Sequence, residues 1–385
     1  MTQKISLEDG LYYRQTLFDK AKRVVIKVGS AILTDEKGMN QRVVDNIARD
    51  LSFLRDTGRE VILVSSGAVA AGRKKKVFGD HVITSIREKQ ALAAIGQSCL
   101  MHTYDQAFSQ YGQTIAQVLL THSDLAERNR YLNVRNTILT LFQFGVIPII
   151  NENDTVCVEE LRFGDNDTLG AMIANMIEAD MFICLTDVEC LYTGNPHSDP
   201  DASPVYTVSE VTPEIESMAG NVKSALGTGG MQTKIRAAKM VSSCGGSSFI
   251  GPGREDSILS KLFSGEMIGT FFLPAKEKIQ QRKHWIGYIL RPKGFLVLDD
   301  GARHALTNGG KSLLPSGIVA VEGSFGVGEP VHCVGLDHKL IAAGLVNYKS
   351  TDINKIKQRR STEIMRLLGF KDSDEVVHRD NLVLL

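Results

Sequence analysis

RVVIKVGSAILT (residues 23–34) opens on a run of β-branched residues that breaks at Gly29. A continuous apolar run ending on Gly and Ser reads as a buried strand entering a loop. The same grammar recurs downstream. EVILVSSGAVAAG (60–72) is a strand running into a Gly/Ser turn and a small-residue helix, and TIAQVLLT (114–121), VIPIIN (146–151), MFICLTD (181–187) and SFIG (248–251) read as further strands. Between them lie helical patterns. Val43, Val44, Ile47, Leu51 and Leu54 fall on one face, and residues 86–111, 130–144, 168–179 and 234–243 continue the alternation. Strands alternating with helices predict an α/β domain with a mainly parallel sheet sandwiched by helices. After about residue 275 the pieces shorten: GFLVLDDGA (294–302), GIVAVEG (317–323) and PVHCVG (330–335) alternate with Gly-rich turns. The organisation expected is therefore a first domain over 1–275, a linker over 276–292, a small β-rich domain over 293–371 and a tail over 372–385.

Composition narrows the class. The chain has 385 residues, 43% of them hydrophobic and 23% charged, with a formal net charge of zero. Two or three soluble domains are expected, with no bulk electrostatic attraction to nucleic acid or membrane. The six cysteines (99, 157, 184, 190, 244, 333) form no C-x-x-C pair and no zinc spacing, which suits free buried thiols in a reducing compartment. Residues 1–23 are polar and charged, without the apolar core of an export signal, and no run is long enough to span a bilayer. A cytoplasmic location is the expectation. No role is assigned to the segment before Arg23.

The chemistry-bearing residues cluster after strands, where ligands of open α/β sheets sit. Lys27, next to Gly29 and Ser30, can neutralise phosphate charge where the backbone approaches closely; a surface lysine at a strand end is the plainer alternative. Ser65-Ser66-Gly67 offers a second turn, weak by itself. GTGGMQTK (227–234) is stronger: three glycines and a threonine precede a helix carrying Lys234, and a helix N-terminus with permissive backbone is an anion site. Asn151, Glu152, Asn153 and Asp154, with Asp165, Asn166 and Asp167, mix donors and acceptors suited to a substrate bearing both ammonium and carboxylate. Thr186-Asp187 can contact nucleotide or serve merely as a cap pair. The segment Gly309-Gly310-Lys311-Ser312 imitates the end of a P-loop, but Ala305 stands where that motif needs glycine.

Taken together, IKVGS (26–30), SSGAVAAG (65–72), INEND (150–154), FGDND (163–167), LTDVECLYTGNP (185–196) and GTGGMQTK (227–234) resemble the amino-acid kinase family over nearly the whole chain. DDGARHAL (299–306) and LLPSGI (313–318) are similar to the PUA domain that many members carry. The resemblance implies the amino-acid kinase fold and phosphorylation of the γ-carboxylate of L-glutamate by ATP with Mg²⁺, the first step toward proline. It implies Lys27 and Lys234 flanking the transferred phosphoryl group, with Asp167 as their organiser. Ser66, Gly67, Asp154, Asp165 and Asn166 would bind glutamate, Asp154 being a sensible partner for its ammonium. Lys27, Gly29, Ser30, Thr186, Asp187 and Thr228, Gly229, Gly230, Met231, Gln232, Thr233 and Lys234 would contact ATP. A carboxylate nucleophile is already ionised, so no general base is required. No side chain is assigned to the metal, whose ligands are expected to be largely phosphate and water. The resemblance also implies a homo-oligomer, a reductase that takes up the acyl phosphate, and feedback inhibition by proline.

Three other readings compete. A kinase for N-acetylglutamate fits less well, since a blocked amine has no use for the Asp154 carboxylate. A regulatory pseudo-kinase is opposed by the presence of Lys27, Asp167 and Lys234 together. RNA binding through the second domain would rest on Lys355, Lys357, Arg359 and Arg360, a short run without interleaved aromatics that reads better as a solvated helix face.

Overall fold

The computed structural model describes residues 7–35, 38–73, 85–156, 165–196, 199–219, 230–275, 283, 286–287 and 290–385. They fall into two compact units, Met1–Lys278 and Ile279–Leu385.

The first unit is built on an eight-stranded sheet: β1 (Arg23–Val28), β2 (Glu60–Ser65), β3 (Ile115–Leu120), β4 (Ile147–Glu152), β5 (Met181–Thr186), β6 (Thr207–Val208), β7 (Ser247–Pro252) and β8 (Thr270–Phe272). Their spatial order is β6-β8-β7-β5-β1-β2-β4-β3. Every pairing is parallel except β7 with β8. The central strands are buried on both faces, which is why they read as continuous apolar runs rather than as alternation. Helices α1 (Leu7–Lys20), α2 (Gln41–Asp56), α3 (Ala68–Arg73), α4 (Ile86–Ser109), α5 (Arg128–Gln143), α6 (Asn166–Met176) and α7 (Met231–Ser243) connect and flank the sheet.

Strand alternation then decides what faces the chemistry. Val24, Ile26 and Val28 enter the larger core with Leu51, Leu63, Tyr104 and Phe249. Lys27 must point to the opposite layer, and there a Cβ added to Gly170 of α6 would lie 3.5 Å from the Lys27 Cβ.

The segment before Arg23, given no role from sequence, forms α1 and is part of that core. Phe18 is fully buried against Phe263 and Phe271, with ring centroids 5.0 and 5.1 Å away. Arg14 donates from Nη2 to Ile268 O at 2.7 Å.

The second unit carries a five-stranded sheet of β9 (Gly294–Leu298), β10 (Ile318–Gly323), β11 (Pro330–Val334), β12 (Leu340–Leu345) and β13 (Leu382–Leu384), in the order β10-β9-β11-β12-β13. Residues 372–385, read from sequence as a tail, supply its last strand: Leu382, Val383 and Leu384 pair antiparallel with Gly344, Ala343 and Ala342. Three residues are too few to announce a strand without their partner. From the expected linker, Ile286 is buried with Ala343 and Val383.

Candidate active site

β1 and β5 are adjacent parallel strands, and their register sets Lys27 beside Cys184. Both side chains point toward α6, whose first turn carries Asp167. The first turn of α7, packed against α6, brings Lys234 to the same point. Asp165 starts α6 as its N-cap, accepting from Thr168 N at 2.7 Å and from Thr168 Oγ1 at 3.1 Å. Gly230 is the N-cap of α7. Two helix N-termini, each favourable to an anion, therefore lie next to one carboxylate and two ammoniums.

Asp167 is fully buried and its oxygens are divided between partners. Oδ1 meets Lys27 Nζ at 2.5 Å and accepts from Cys184 Sγ at 3.3 Å. Oδ2 meets Lys234 Nζ at 3.2 Å and accepts from Thr233 Oγ1 at 2.7 Å, with Gly230 O 2.8 Å away as a second acceptor for that hydroxyl. Burial alone pushes the Asp167 carboxyl up. The charges of Lys27 and Lys234 more than reverse this and hold it well below the usual carboxylate range. Burial likewise pulls the Lys27 ammonium down, and Asp167 outweighs it, so Lys27 stays charged beyond the usual lysine range. Burial and then the Asp167 charge push the Cys184 thiol up to about 12, so it stays a neutral donor. Two ammoniums, both 6% exposed, converge on one carboxylate, with Asp165 a further negative charge acting on Lys27. Paired buried ammoniums beside helix N-termini can hold a phosphoryl group.

Beside this cluster runs a polar wall. Asn166, the first residue of α6, donates from Nδ2 to Ser65 O (3.0 Å), Ser66 Oγ (2.7 Å) and Asn151 Oδ1 (3.1 Å). Gly67 follows with φ +101°, a backbone that side-chain-bearing residues rarely adopt, so the turn that presents Ser66 depends on glycine there. Asp165 is raised by burial and then by the neighbouring Asp167 charge.

Of the residues expected at the site, Lys27, Ser66, Asp165, Asn166, Asp167, Gly230, Thr233 and Lys234 are brought together. Gly29 is the N-cap of a single helical turn beginning at Ser30, and its N–H donates to Leu185 O at 3.3 Å, so it also closes the sheet. Thr186 ends β5, buried, and donates to Asp187 Oδ1 at 2.9 Å. Gly230, Met231, Gln232 and Thr233 form the entry to α7. Asp154 lies in the turn after β4. Thr228 and Gly229 lie outside the described residues. Sequence reasoning gave Cys184 and Gln97 no part in the site, and put Asn151 in the polar cluster without its bond to Asn166. Cys184 is fourth in MFICLT and Lys27 fifth in RVVIKV, so only the strand register, which sets Lys27 opposite Cys184, shows that the two face the same layer.

A buried Lys–Asp–Lys group between helix N-termini at the carboxyl ends of parallel strands is the apparatus of a kinase for small molecules. Residues 22–250 match the model of the amino acid kinase family, and residues 294–368 that of the PUA domain. The chain belongs to the amino acid kinase family. Among curated relatives, a glutamate 5-kinase of Desulfotalea psychrophila is 60% identical over 372 residues, covering 97% of this chain and 99% of its own. Another, of Geobacter sulfurreducens, is 50% identical over 373 residues, 97% of this chain and 100% of its own. That of Syntrophus aciditrophicus is 46% identical over 372 residues, 97% and 96% respectively. Among the described residues no helix is long and apolar enough to cross a membrane.

Proposed function

We propose that this chain transfers the γ-phosphoryl group of ATP to the γ-carboxylate of L-glutamate, yielding L-glutamate 5-phosphate and ADP, the first step of proline biosynthesis. The observation that carries the reading is the sharing of Asp167 between Lys27 and Lys234 beside the Asn166–Ser66 wall. Its identification with glutamate rests on the relatives named above.

The chemistry asks little covalent work of the protein. The γ-carboxylate is the nucleophile, ionised at neutral pH, and attacks phosphorus in line while the bond to the ADP oxygen breaks. Lys27 and Lys234 stabilise negative charge spreading over the transferred group, and Asp167 holds both in place. Asn166, Ser66 and Asp154 orient the amino acid, with Gly67 and Asp165 shaping their turns. Thr186, Asp187 and the entry to α7 contact the nucleotide.

Mg²⁺ fits this site as a companion of the phosphates. Among the described residues no group of three carboxylate, His or Cys side chains could hold a metal, and Asp165 and Asp167 are already engaged within the protein. Bound with ATP, the ion would supply charge neutralisation at the phosphate oxygens, with those oxygens and water as most of its expected ligands.

The test is ADP release with ATP and Mg²⁺ in the presence of hydroxylamine, which traps acyl phosphates as hydroxamates. L-glutamate is compared with N-acetylglutamate and aspartate. Hydroxamate from glutamate alone is the expected result. None from any acid, with folded protein that still binds ATP, overturns the reading.

A further inference from the structure

Three amides run in series from the middle of α4 to the substrate wall. Gln97 Oε1 accepts from Asn151 Nδ2 at 3.0 Å, and Asn151 Oδ1 accepts from Asn166 Nδ2 at 3.1 Å. Which end of a side-chain amide is nitrogen is normally inferred from its surroundings. Here two backbone groups decide it. The Glu152 N–H, which can only donate, reaches Asn151 Oδ1 at 2.9 Å. The Ser65 carbonyl, which can only accept, takes Asn166 Nδ2 at 3.0 Å. The chain therefore has one polarity, with each oxygen accepting from the next residue's nitrogen.

That polarity has a consequence at the pocket. The two hydrogens of Asn166 Nδ2 are shared among Ser65 O, Ser66 Oγ and Asn151 Oδ1. The amide atom these bonds leave uncommitted is Asn166 Oδ1, an acceptor. A wall that offers an oxygen there selects a ligand that brings a donor, and the ammonium of a free amino acid is such a donor. An acylated nitrogen keeps only one N–H and adds bulk.

We infer that Gln97 is a positioning residue for amino-acid binding, acting through Asn151 to hold Asn166 with its oxygen toward the substrate. Among the described residues it is the one amide of the three without a backbone hydrogen bond, and its contribution is an acceptor that keeps Asn151 Nδ2 turned away from Asn166. Without it, the amide of Asn151, itself 2% exposed, has an unpaired buried donor and a reason to rotate. Rotation would set nitrogen against nitrogen at Asn166. Gln97 Nε2 is itself buried without a hydrogen-bond partner. A methionine of similar length would fill that space without an orphan donor, so packing alone does not favour glutamine at this position. This inference rests on the glutamate reading above for its choice of ligand, but the relay can be read without it.

The experiment uses the full chain with Gln97→Met, Asn151→Ala and the double variant. With wild-type protein turning over L-glutamate, Gln97→Met is expected to raise KM for L-glutamate about tenfold while KM for ATP stays within about twofold. On the Asn151→Ala background the same change is expected to add nothing, because the relay is already cut. Gln97→Glu, which keeps an acceptor facing Asn151, is expected to recover most of the affinity. Independently of any substrate, the side-chain amide NMR signal of Asn166, identified by its loss in Asn166→Asp, is expected to shift in Gln97→Met. An unmoved signal, or effects of Gln97→Met and Asn151→Ala that simply multiply, overturns the relay. A wild-type protein inactive on glutamate but with a shifted Asn166 signal overturns the substrate and leaves the relay standing.

Discussion

Lys27 Nζ and Asp167 Oδ1 lie 2.5 Å apart, the carboxylate fully buried and the lysine held on the central strand of the sheet. The pair is the fixed half of the site. Lys234, 3.2 Å from the other oxygen, comes from a helix entered through a glycine-rich segment. One carboxylate thus ties α7 to the sheet.

Removing that tie should harm both fold and turnover. Asp167→Asn leaves two buried ammoniums without a counter-charge, a kind of change that costs about 3–5 kcal/mol when one partner of a buried pair is deleted. Turnover is expected to fall about 10²-fold or more as the lysines lose their alignment. Saturating ATP supplies phosphate charge, so the loss of Tm should shrink when ATP is present. Thermal unfolding with and without nucleotide checks this, and an Asn variant as stable as wild type without ATP would contradict it.

Neutralising either lysine tests the transition-state role separately. Lys27→Met and Lys234→Met keep the length of the side chain but remove its charge. Each is expected to lower kcat about 10²-fold or more, since each takes away a few kcal/mol of charge stabilisation. Lys27→Arg should not rescue, because a planar guanidinium does not fit a strand position enclosed by α6. Turnover by Lys234→Met equal to wild type would remove the α7 entry from the mechanism.

The pH dependence of stability follows from the signs of the shifts. Asp167 is held below its unfolded value, so its contribution is present above about pH 4 and disappears as acid titrates it in the folded state. Lys27 is held above its unfolded value, so its contribution is present below about pH 10 and is lost as pH rises further. Asp165, raised by burial and by Asp167, acts in the opposite direction and gives back some stability on acidification. The first unit is therefore expected to show a flat Tm between about pH 5 and 9. Asp167→Asn should lose part of the acid-side slope. A Tm that changes steeply near pH 7 would show that another group governs it.

Much of this was legible from residues alone. Apolar runs ending in Gly, Ser, Asn or Asp marked both the strands and the ends that carry Lys27, Ser66, Asn151 and Thr186. The helices bearing Asp167 and Lys234 begin earlier than periodicity suggests, at Asn166 and Met231 rather than 168 and 234. Their first turns face the site, so the apolar rhythm starts only where the helix meets the core. Gln97 was hidden for a different reason: it lies 54 positions from Asn151, in a run of small residues, and only the fold brings them together. The tail strand and α1 were missed because their partners, Ala342–Gly344 and Phe271, are distant in sequence.

α1 makes a prediction of its own. Phe18→Ala opens a cavity between Phe263 and Phe271 in the largest core, and losses of about 3–5 kcal/mol are typical for deleting a buried aromatic ring. Denaturant unfolding should show the loss in the transition of the first unit. An unchanged midpoint would mean that α1 adds little to the fold.

Close approach of α3 and α4 supports the wall from behind. A Cβ on Gly96 would lie 1.7 Å from Ala68 O and 2.5 Å from Gly72 N, backbone atoms with no side chain to swing aside. Gly96→Ala must therefore separate the two helices. Overpacking of this kind costs about 1–3 kcal/mol, and more where backbone has to move. The displacement has a direction: α3 follows the Ser66–Gly67 turn, and Gln97 is the next residue on α4. Gly96→Ala is expected to lower Tm and to raise KM for L-glutamate more than KM for ATP. Ser98→Ala, at an exposed position two residues along the same helix, should change neither. Equal rises in both KM values would mean that the helix pair supports the whole cleft and not the amino-acid wall in particular.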